Sequence, residues 1–233
     1  MPMPSRVPRV RHPVAAAALA AGACVLAVYL LVGGPAVRLE AFLSSGLHAH
    51  TGDPLRAAVV GITLIGGTQV AIPVTAACAA GLLALRLWHS AFALVAAVAV
   101  TQLVVQVAKH FFERPRPPAN AAGTDAGGFS FPSGHSATSA ALFGLLVLVA
   151  SRHLQGRARH LAAAAGVAVV AAVGVSRVAL GAHYPTDVLA GWVTGGAIAL
   201  GCLALFTRAR NALARSTRAA AWQGRIAAPP RSR

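Results

Sequence analysis

Long apolar runs are the feature that most restricts how this chain can fold. A helix needs roughly 20 mostly apolar residues to cross the hydrocarbon core of a bilayer. Five runs of suitable length lie at residues 14–35, 90–108, 134–151, 161–180 and 186–206. Because backbone groups inside lipid must pair within the same segment, each run predicts a transmembrane helix.

A further apolar region, residues 57–85, is too long for one untilted span and is interrupted at Gly66 and Gly67. Adjacent glycines are typical of a break in a helix. We expect a span near residues 68–85, preceded by a short apolar segment at the membrane interface. The sequence therefore predicts an all-α, polytopic membrane bundle of six transmembrane helices.

Composition agrees with this architecture. Of 233 residues, 57% are hydrophobic and 11% are charged, whereas a soluble domain carries about 25% charged residues. The first run follows a basic segment with Arg6, Arg9 and Arg11, which also fits a cleaved signal peptide. The length of the run and the lack of a small-residue cleavage site favour an uncleaved span.

The distribution of charge predicts the orientation of the bundle. With a cytoplasmic N-terminus and six spans, 14 of the 20 Lys and Arg residues fall in the inner segments, which are 1–13, 86–89, 152–160 and 208–233. All five acidic residues fall on the other side: Glu40, Asp53, Glu113, Asp125 and Asp187. Because basic loops stay in the cytoplasm, both termini are predicted to be cytoplasmic.

This layout divides the chain into a basic N-terminal segment (1–13), a membrane domain (14–207) and a basic, disordered tail (208–233). A protein with a net charge of +15 could bind nucleic acid. Most of this charge, however, lies in the predicted inner loops and in the tail, beside the anionic cytoplasmic leaflet. We expect a lipid bilayer as partner and no nucleic acid. The cysteines are single residues in apolar runs, with neither metal-site nor redox spacing: Cys24, Cys78 and Cys202.

Polar residues on the predicted outer face gather in three clusters, each at a helix end. The first is KHFFERPRP, residues 109–117, where Lys109 ends a span. Arg116 lies between two prolines, which hold its backbone extended. A guanidinium on a stiff backbone suits an anion site, although a terminal lysine also serves as an interface anchor.

The second cluster, FPSGH, predicts the start of a helix. Pro132 is expected in the first turn, where Ser133 and Gly134 would present free backbone amides. A helix N-terminus binds anions through such amides and through its dipole. His135 follows and could transfer a proton, although an ordinary capped helix with a hydrogen-bonded histidine explains the same residues.

The third cluster is SRVALGAHYPTD. Pro185 is expected in the first turn of the last span, with His183 just outside that helix and Asp187 inside it. The proline disfavours a shared metal-binding face, so Asp187 is expected to fix the tautomer of His183 and stabilise its charged form. Arg177 ends the preceding helix, where it needs a partner.

Together the clusters resemble the type 2 phosphatidic acid phosphatase superfamily, which includes bacterial acid phosphatases and vanadium haloperoxidases. The signature of that family is K-x6-RP, PSGH and SR-x5-H-x3-D. It matches Lys109 with Arg116 and Pro117, then Pro132 to His135, then Ser176 and Arg177 with His183 and Asp187. All internal spacings agree, and the three elements occur in the family's order.

The resemblance implies a role for each matched residue. His183 would attack phosphorus to form a phosphohistidine, oriented by Asp187, while His135 would protonate the leaving oxygen and later activate water. The phosphoryl oxygens would be bound by Lys109, Arg116, Ser133, Gly134 and Arg177. Three cations, a helix terminus and two histidines can stabilise phosphoryl transfer, so we expect no metal and no other cofactor.

These expectations describe a lipid phosphatase of the plasma membrane, with its site on the extracytoplasmic side. A polyprenyl diphosphate is the first expected substrate, with phosphatidic acid and phosphatidylglycerol phosphate as alternatives. The rival interpretation is a non-catalytic protein that binds or transports anions, which predicts charges near mid-span. Mid-span polar residues are few: Thr101, Gln102 and Gln106. A haloperoxidase of the same superfamily would be soluble, unlike this chain.

Overall fold

A computed structural model of the chain describes residues 53–117 and 128–227, with side chains for residues 56–117 and 128–217. Every regular element in these ranges is a helix. The six helices are α1 (Asp53–Leu64), α2 (Thr68–Ala84), α3 (Trp88–Phe112), α4 (Gly134–His153), α5 (Gly156–Ala179) and α6 (Pro185–Ala227). The span predicted at residues 14–35 lies outside the described residues.

Four described helices are long and apolar enough to cross a membrane. They are α3, α4, α5 and the Pro185–Thr217 part of α6, and they coincide with four of the predicted spans. The pair of α1 and α2 is bent by 48° and can form a fifth, broken span. The all-helical, polytopic architecture is therefore confirmed, while the count of six spans and the cytoplasmic termini stay predictions.

The break between α1 and α2 falls at the glycine pair that interrupts the apolar region. The Gly66 amide donates to the Thr63 carbonyl at 3.1 Å, and the Gly67 amide donates to the Leu64 carbonyl at 3.0 Å. These are tight i→i−3 bonds, typical of a helix that ends rather than continues. The predicted interruption is present, and it directs α2 at an angle to α1.

Helix α4 lies at the centre of the bundle and contacts α2, α3, α5 and α6. Its apolar face packs into a core shared with α3 and α6, with buried leucines at positions Leu94, Leu142, Leu145 and Leu203. A helix with neighbours on several sides must be buried over much of its surface. The central position of α4 therefore holds its N-terminus in a fixed place among the other helix ends.

Two glycines let α6 approach α4 closely. A Cβ atom on Gly195 would collide with the Ala137 carbonyl oxygen, and one on Gly191 would lie 2.6 Å from the Ser133 carbonyl oxygen. Small residues at such contacts allow helix backbones to pack against each other in a membrane. Because Gly191 follows Asp187 by one helical turn, this contact brings the N-terminal ends of α4 and α6 together.

Helix α6 continues past the predicted boundary at residue 207 and ends at Ala227. The sequence predicted a disordered tail from residue 208, whereas the structure describes the first part of that segment as helix. The segment is rich in Ala and Arg, which are strong helix formers. Residues 228–233 lie outside the described range.

Candidate active site

The three polar clusters meet at one end of the bundle. This end contains the C-terminal ends of α3 and α5, the N-terminal ends of α4 and α6, and the break between α1 and α2. Two backbone hydrogen bonds join the connecting segments, from the Ser130 amide to the Arg114 carbonyl at 2.8 Å and from the Ser133 amide to the Asp187 carbonyl at 3.0 Å. Segments far apart in sequence therefore form one site.

Helix α4 begins at Gly134, and Ser133 is its N-cap. The Ser133 hydroxyl accepts from the Ser136 amide at 3.4 Å and from the Ser136 hydroxyl at 2.9 Å. Two details of the sequence prediction were wrong. Pro132 precedes the cap instead of lying in the first turn, and the Ser133 amide is not free because it donates to Asp187. The Gly134 and His135 amides, which open the first turn, have no backbone acceptor one turn earlier in the helix.

Helix α6 begins at Pro185, as predicted, with Asp187 in its first turn and His183 just before it. His183 Nδ1 lies 3.5 Å from Asp187 Oδ2, within ion-pair distance. The contact lies outside hydrogen-bond geometry, and Nδ1 has no hydrogen-bond partner among the described residues. The carboxylate is thus close enough to act on the imidazole charge, and a small ring rotation would complete the bond.

Arg114 and Ser130 hold the Asp187 carboxylate, and the sequence analysis assigned neither residue. Arg114 NH1 donates to Oδ1 at 2.5 Å, and the Ser130 hydroxyl donates to Oδ2. The Tyr184 amide also donates to Oδ2, at 3.0 Å. Asp187 is fully buried, and a buried charge is stable only with such partners.

The Arg114 guanidinium is positioned by two further contacts. It lies over the Tyr184 ring, 4.2 Å from the centroid, and NH1 donates to the Thr186 hydroxyl at 2.9 Å. A cation over an aromatic face is attracted by the ring quadrupole. Arg114 is outside the matched motif, and the only sequence signal for it is the repeated Arg-Pro in ERPRP.

Arg116 connects the first cluster to the third. Its Nε donates to the Gly128 carbonyl at 3.1 Å, and its NH1 donates to the Ala182 carbonyl at 2.7 Å. NH1 also lies 3.4 Å from His183 Nε2. A guanidinium only donates, so Nε2 is the acceptor and the ring proton lies on Nδ1, toward Asp187. This is the tautomer that leaves Nε2 able to attack.

Burial lowers the pKa of two side chains in the connecting segments, His183 and Arg116. It lowers the pKa of His183 to about 4, although the Asp187 carboxylate opposes the shift. It also lowers the pKa of Arg116 from its ordinary value, again against the effect of Asp187. The His183 imidazole is therefore neutral at pH 7, and a neutral imidazole can act as a nucleophile.

Arg177 ends α5 and is 4% exposed. Its NH1 donates to the Thr63 hydroxyl at 2.9 Å, while its Nε has no hydrogen-bond partner in the described part of the chain. A buried donor without an acceptor costs free energy. Arg177 Nε is thus a candidate donor to an anionic ligand.

His135 lies in the first turn of α4, beside the α1–α2 break, where a Cβ atom on Gly67 would be 3.3 Å from its Nε2. The charges of Lys109, Arg116, Arg177 and His183 all act on His135. Lys109 is half-buried at the end of α3, close to Arg116 and Arg177. The structure therefore brings every site residue predicted from the sequence to the same end of the bundle.

Within residues 53–117 and 128–227, no three His, Cys, Asp or Glu side chains are grouped closely enough to hold a metal ion. The described site is cationic, apart from the fully buried Asp187. Fixed positive charge of this kind attracts phosphate groups. The arrangement can bind a phosphoryl group and offer it two imidazoles.

Comparison with known proteins identifies the family. Residues 90–211 match the model of the PAP2 superfamily. The phosphatidylglycerophosphatase B of Bacillus subtilis (strain 168) is 32% identical over 143 residues, which are 60% of this chain and 70% of that protein. The chain belongs to the PAP2 superfamily. The resemblance found in the three sequence motifs is thereby confirmed.

Other PAP2-type proteins are similar over different lengths. A lipid A 1-phosphatase of Rhizobium etli is 42% identical over 67 residues, or 29% of this chain and 25% of that protein. The crystal structure of a transmembrane PAP2-type phosphatidylglycerolphosphate phosphatase from Bacillus subtilis has a TM-score of 0.74 at 24% identity, covering 84% of this chain and 97% of that one. Aquifex aeolicus LpxE has a TM-score of 0.54 at 21% identity, covering 69% and 92%. These structures share the fold.

Proposed function

We propose that this PAP2 protein hydrolyses a lipid phosphate in the membrane through a phosphohistidine at His183. The observation that carries the proposal is the meeting of His183 and His135 with three cations and a helix N-terminus at one end of a membrane bundle. Phosphoryl transfer depends on positioning and on positive charge around the equatorial oxygens. The relatives are a phosphatidylglycerophosphatase and a lipid A 1-phosphatase, which supports the same class of reaction.

In the first step, His183 Nε2 attacks phosphorus while the bond from phosphorus to the lipid oxygen breaks. Protonated His135 gives its proton to that oxygen, so the lipid leaves as an alcohol, or as a lipid monophosphate when the substrate is a diphosphate. The His183 ring becomes positive, and the Asp187 carboxylate 3.5 Å from Nδ1 stabilises this charge. Arg114 and Ser130 keep the carboxylate in position.

In the second step, water attacks the phosphohistidine. Neutral His135 accepts a proton from that water as the new P–O bond forms and the P–N bond breaks. Inorganic phosphate leaves, His183 returns to its neutral form and His135 is again protonated. One histidine therefore acts as acid and then as base, so each turnover restores the starting protonation states.

The phosphoryl oxygens are bound by the surrounding donors. Arg177 offers its Nε, which has no hydrogen-bond partner among the described residues, and Arg116 lies 3.4 Å from the attacking nitrogen. Lys109 adds a third charge. The N-terminus of α4 adds the Gly134 amide and the Ser133 hydroxyl, whose own proton can be donated.

We place the site at the extracytoplasmic face because the opposite end of the bundle carries the basic loops. There Arg152 NH1 donates to the Thr207 hydroxyl at 3.3 Å, and Arg210 NH1 lies 3.2 Å from His89 Nε2. These contacts group the start of α3, the end of α4 and the middle of α6, away from the phosphate-binding cluster. Basic segments stay on the cytoplasmic side of a membrane.

The substrate is proposed as a phosphate whose lipid part stays in the bilayer. Phosphatidylglycerol phosphate stands first, because a relative that aligns with 60% of this chain is named phosphatidylglycerophosphatase B. Polyprenyl diphosphate, the expectation from the sequence, stands second, followed by phosphatidic acid. The exposed large apolar side chains of the described helices are mostly Leu and Val, with Trp88, Phe92 and Phe111 among them. Apolar side chains of this kind contact all three lipid tails alike.

Phosphate release from a panel of lipids tests the proposal. Purified protein in detergent, with excess EDTA, is expected to release inorganic phosphate from at least one of these three lipids, because fixed cations neutralise the phosphoryl charge without a metal. Colorimetric phosphate detection measures the rate. Loss of activity in EDTA with recovery in Mg²⁺ would contradict metal independence, and tight lipid binding with no phosphate release would favour the transport interpretation.

Activity is expected to fall at low pH near the pKa of His183. Neutral Nε2 is the nucleophile, and burial lowers this pKa to about 4, so the neutral form persists down to that pH. On the acid side of the pH profile, kcat/KM should therefore fall to half of its plateau near pH 4. An ordinary histidine, with a pKa of about 6.5, would place that midpoint near pH 6.5. Because Asp187 raises the pKa of His183, Asp187→Asn should move the midpoint to lower pH. A midpoint that stays in place in the variant would contradict the assignment to His183.

A further inference from the structure

We propose that the break between α1 and α2 positions the catalytic groups, with Gly67 setting the place of the His135 ring and Thr63 setting the Arg177 guanidinium. This inference rests on the proposed function, since it assigns residues that act through His135 and Arg177. Both α1 and α2 lie outside residues 90–211, the part of the chain that matches the family model. The motifs alone therefore give an incomplete description of the site.

Gly67 is a glycine for reasons of space. Its φ of −73° and ψ of 149° are ordinary extended values that alanine adopts without strain. A Cβ atom there would lie 3.3 Å from His135 Nε2 and 3.3 Å from the Leu64 carbonyl oxygen, closer than atoms of this kind normally approach. The missing methyl group thus leaves room beside the nitrogen that must reach the leaving oxygen.

Gly66 has a different part in the same break. A Cβ atom there would lie 2.5 Å from Val173 Cγ1 and 2.8 Å from the His135 carbonyl oxygen. These neighbours belong to a packed side chain and to the backbone, and neither can move without shifting a helix. Gly66 therefore sets how closely the break approaches α4 and α5, while Gly67 lies against the movable imidazole ring of His135 and the Leu64 carbonyl oxygen of its own turn.

Thr63 acts on the second group. Its hydroxyl accepts from Arg177 NH1 at 2.9 Å, and both residues are buried, with 4% exposure each. This bond ties one end of the guanidinium to α1, and its Nε remains without a partner in the described structure. A hydrogen bond between α1 and α5 thus prepares Arg177 to donate to a phosphoryl oxygen.

The chemistry makes the two contributions separable. His135 protonates the leaving oxygen, which matters for an alkyl alcohol and much less for a leaving group acidic enough to depart unprotonated. Arg177 binds phosphoryl oxygens, which are the same in every substrate. A displaced His135 ring should therefore affect substrates according to their leaving group, whereas a loosened Arg177 should affect all of them alike.

The experiment compares release of the leaving group in the first turnover from a short-chain alkyl lipid phosphate and from 4-nitrophenyl phosphate. For Gly67→Ala we expect a fall of about 10- to 100-fold with the alkyl substrate, part of the 10²- to 10⁴-fold contribution of an acid. With nitrophenyl phosphate the fall should stay below about threefold. For Thr63→Val we expect KM to rise about tenfold for both substrates, because a charged hydrogen bond is lost.

Matched controls separate positioning from folding. Gly61→Ala and Gly81→Ala add the same methyl group to α1 and α2, where a Cβ atom would meet nothing within 4 Å, and both should retain parental rates. Thr68→Val is the control for Thr63→Val, since it makes the same substitution at an exposed threonine of α2. Equal losses on the two substrates in Gly67→Ala, or no loss on the alkyl substrate, would overturn the inference while parental activity upholds the proposed function. A parent inactive on both substrates would overturn the proposed function and this inference with it.

Discussion

Replacing His183 with alanine is expected to lower turnover of the lipid phosphate by about 10⁴-fold or more, because the variant lacks the proposed nucleophile and cannot form the proposed covalent intermediate. The ring is 2% exposed, and its Nε2 is the nitrogen that faces Arg116. Residual activity can come only from the cations that bind the phosphoryl group. Steady-state phosphate release with the purified variant measures the loss.

Trapping tests the proposed phosphohistidine directly. Rapid acid-free quenching of the parent with radiolabelled substrate should trap a phosphoprotein that is stable in base and labile in acid, as expected for a phosphohistidine. His183→Ala should give none. The matched control is His160→Ala, an exposed histidine whose Nδ1 contacts the Gly156 carbonyl at 2.9 Å at the other end of the bundle. A normal amount of phosphoprotein in His183→Ala would rule out this nucleophile.

Asp187→Asn is expected to reduce turnover by about 10³- to 10⁴-fold, although its shape is nearly that of the parent. The amide cannot stabilise the positive imidazole that forms during attack, and it can donate to the ring and favour the wrong tautomer. It also leaves Arg114, whose side chain is 9% exposed and 2.5 Å from the carboxylate, as an uncompensated buried charge. Breaking a buried pair in this way costs about 3–5 kcal/mol of stability.

Two measurements are therefore needed for this variant, turnover at a temperature where it is folded and thermal unfolding in detergent. The control is Glu113→Gln, which removes an exposed carboxylate from the same end of the bundle, and it should leave both values near those of the parent. If Asp187→Asn retained more than a tenth of the parental turnover, the carboxylate would have no part in orienting His183.

The catalytic candidates could be predicted from the sequence because each stands at an abrupt change from apolar to polar residues. Lys109, His135 and Arg177 lie where predicted spans begin or end, and the spans themselves follow from length and hydropathy. Helix ends on one face of a membrane must be near each other, so three distant motifs could be placed together before any coordinates. Their internal spacing then carried the resemblance to the family.

The residues that support the candidates could not be predicted in the same way. Arg114 is one of two neighbouring arginines, and nothing in the chain indicates that it, and not Arg116, pairs with Asp187. Ser130 and Thr63 are ordinary hydroxyl residues until their partners Asp187 and Arg177 are seen. These contacts join residues more than fifty positions apart, so the local sequence pattern does not predict them.

The sequence by itself determined that this protein is a helical membrane bundle and which polar residues lie at the helix ends, because the bilayer permits charge only there. It also showed the break at Gly66 and Gly67, because paired glycines weaken a helix. Only the tertiary structure decided which donors hold Asp187, that the Ser133 amide is already bonded, and that the break lies against His135. Those facts depend on how closely separate helices pack, which is set by the shapes of side chains distant in sequence.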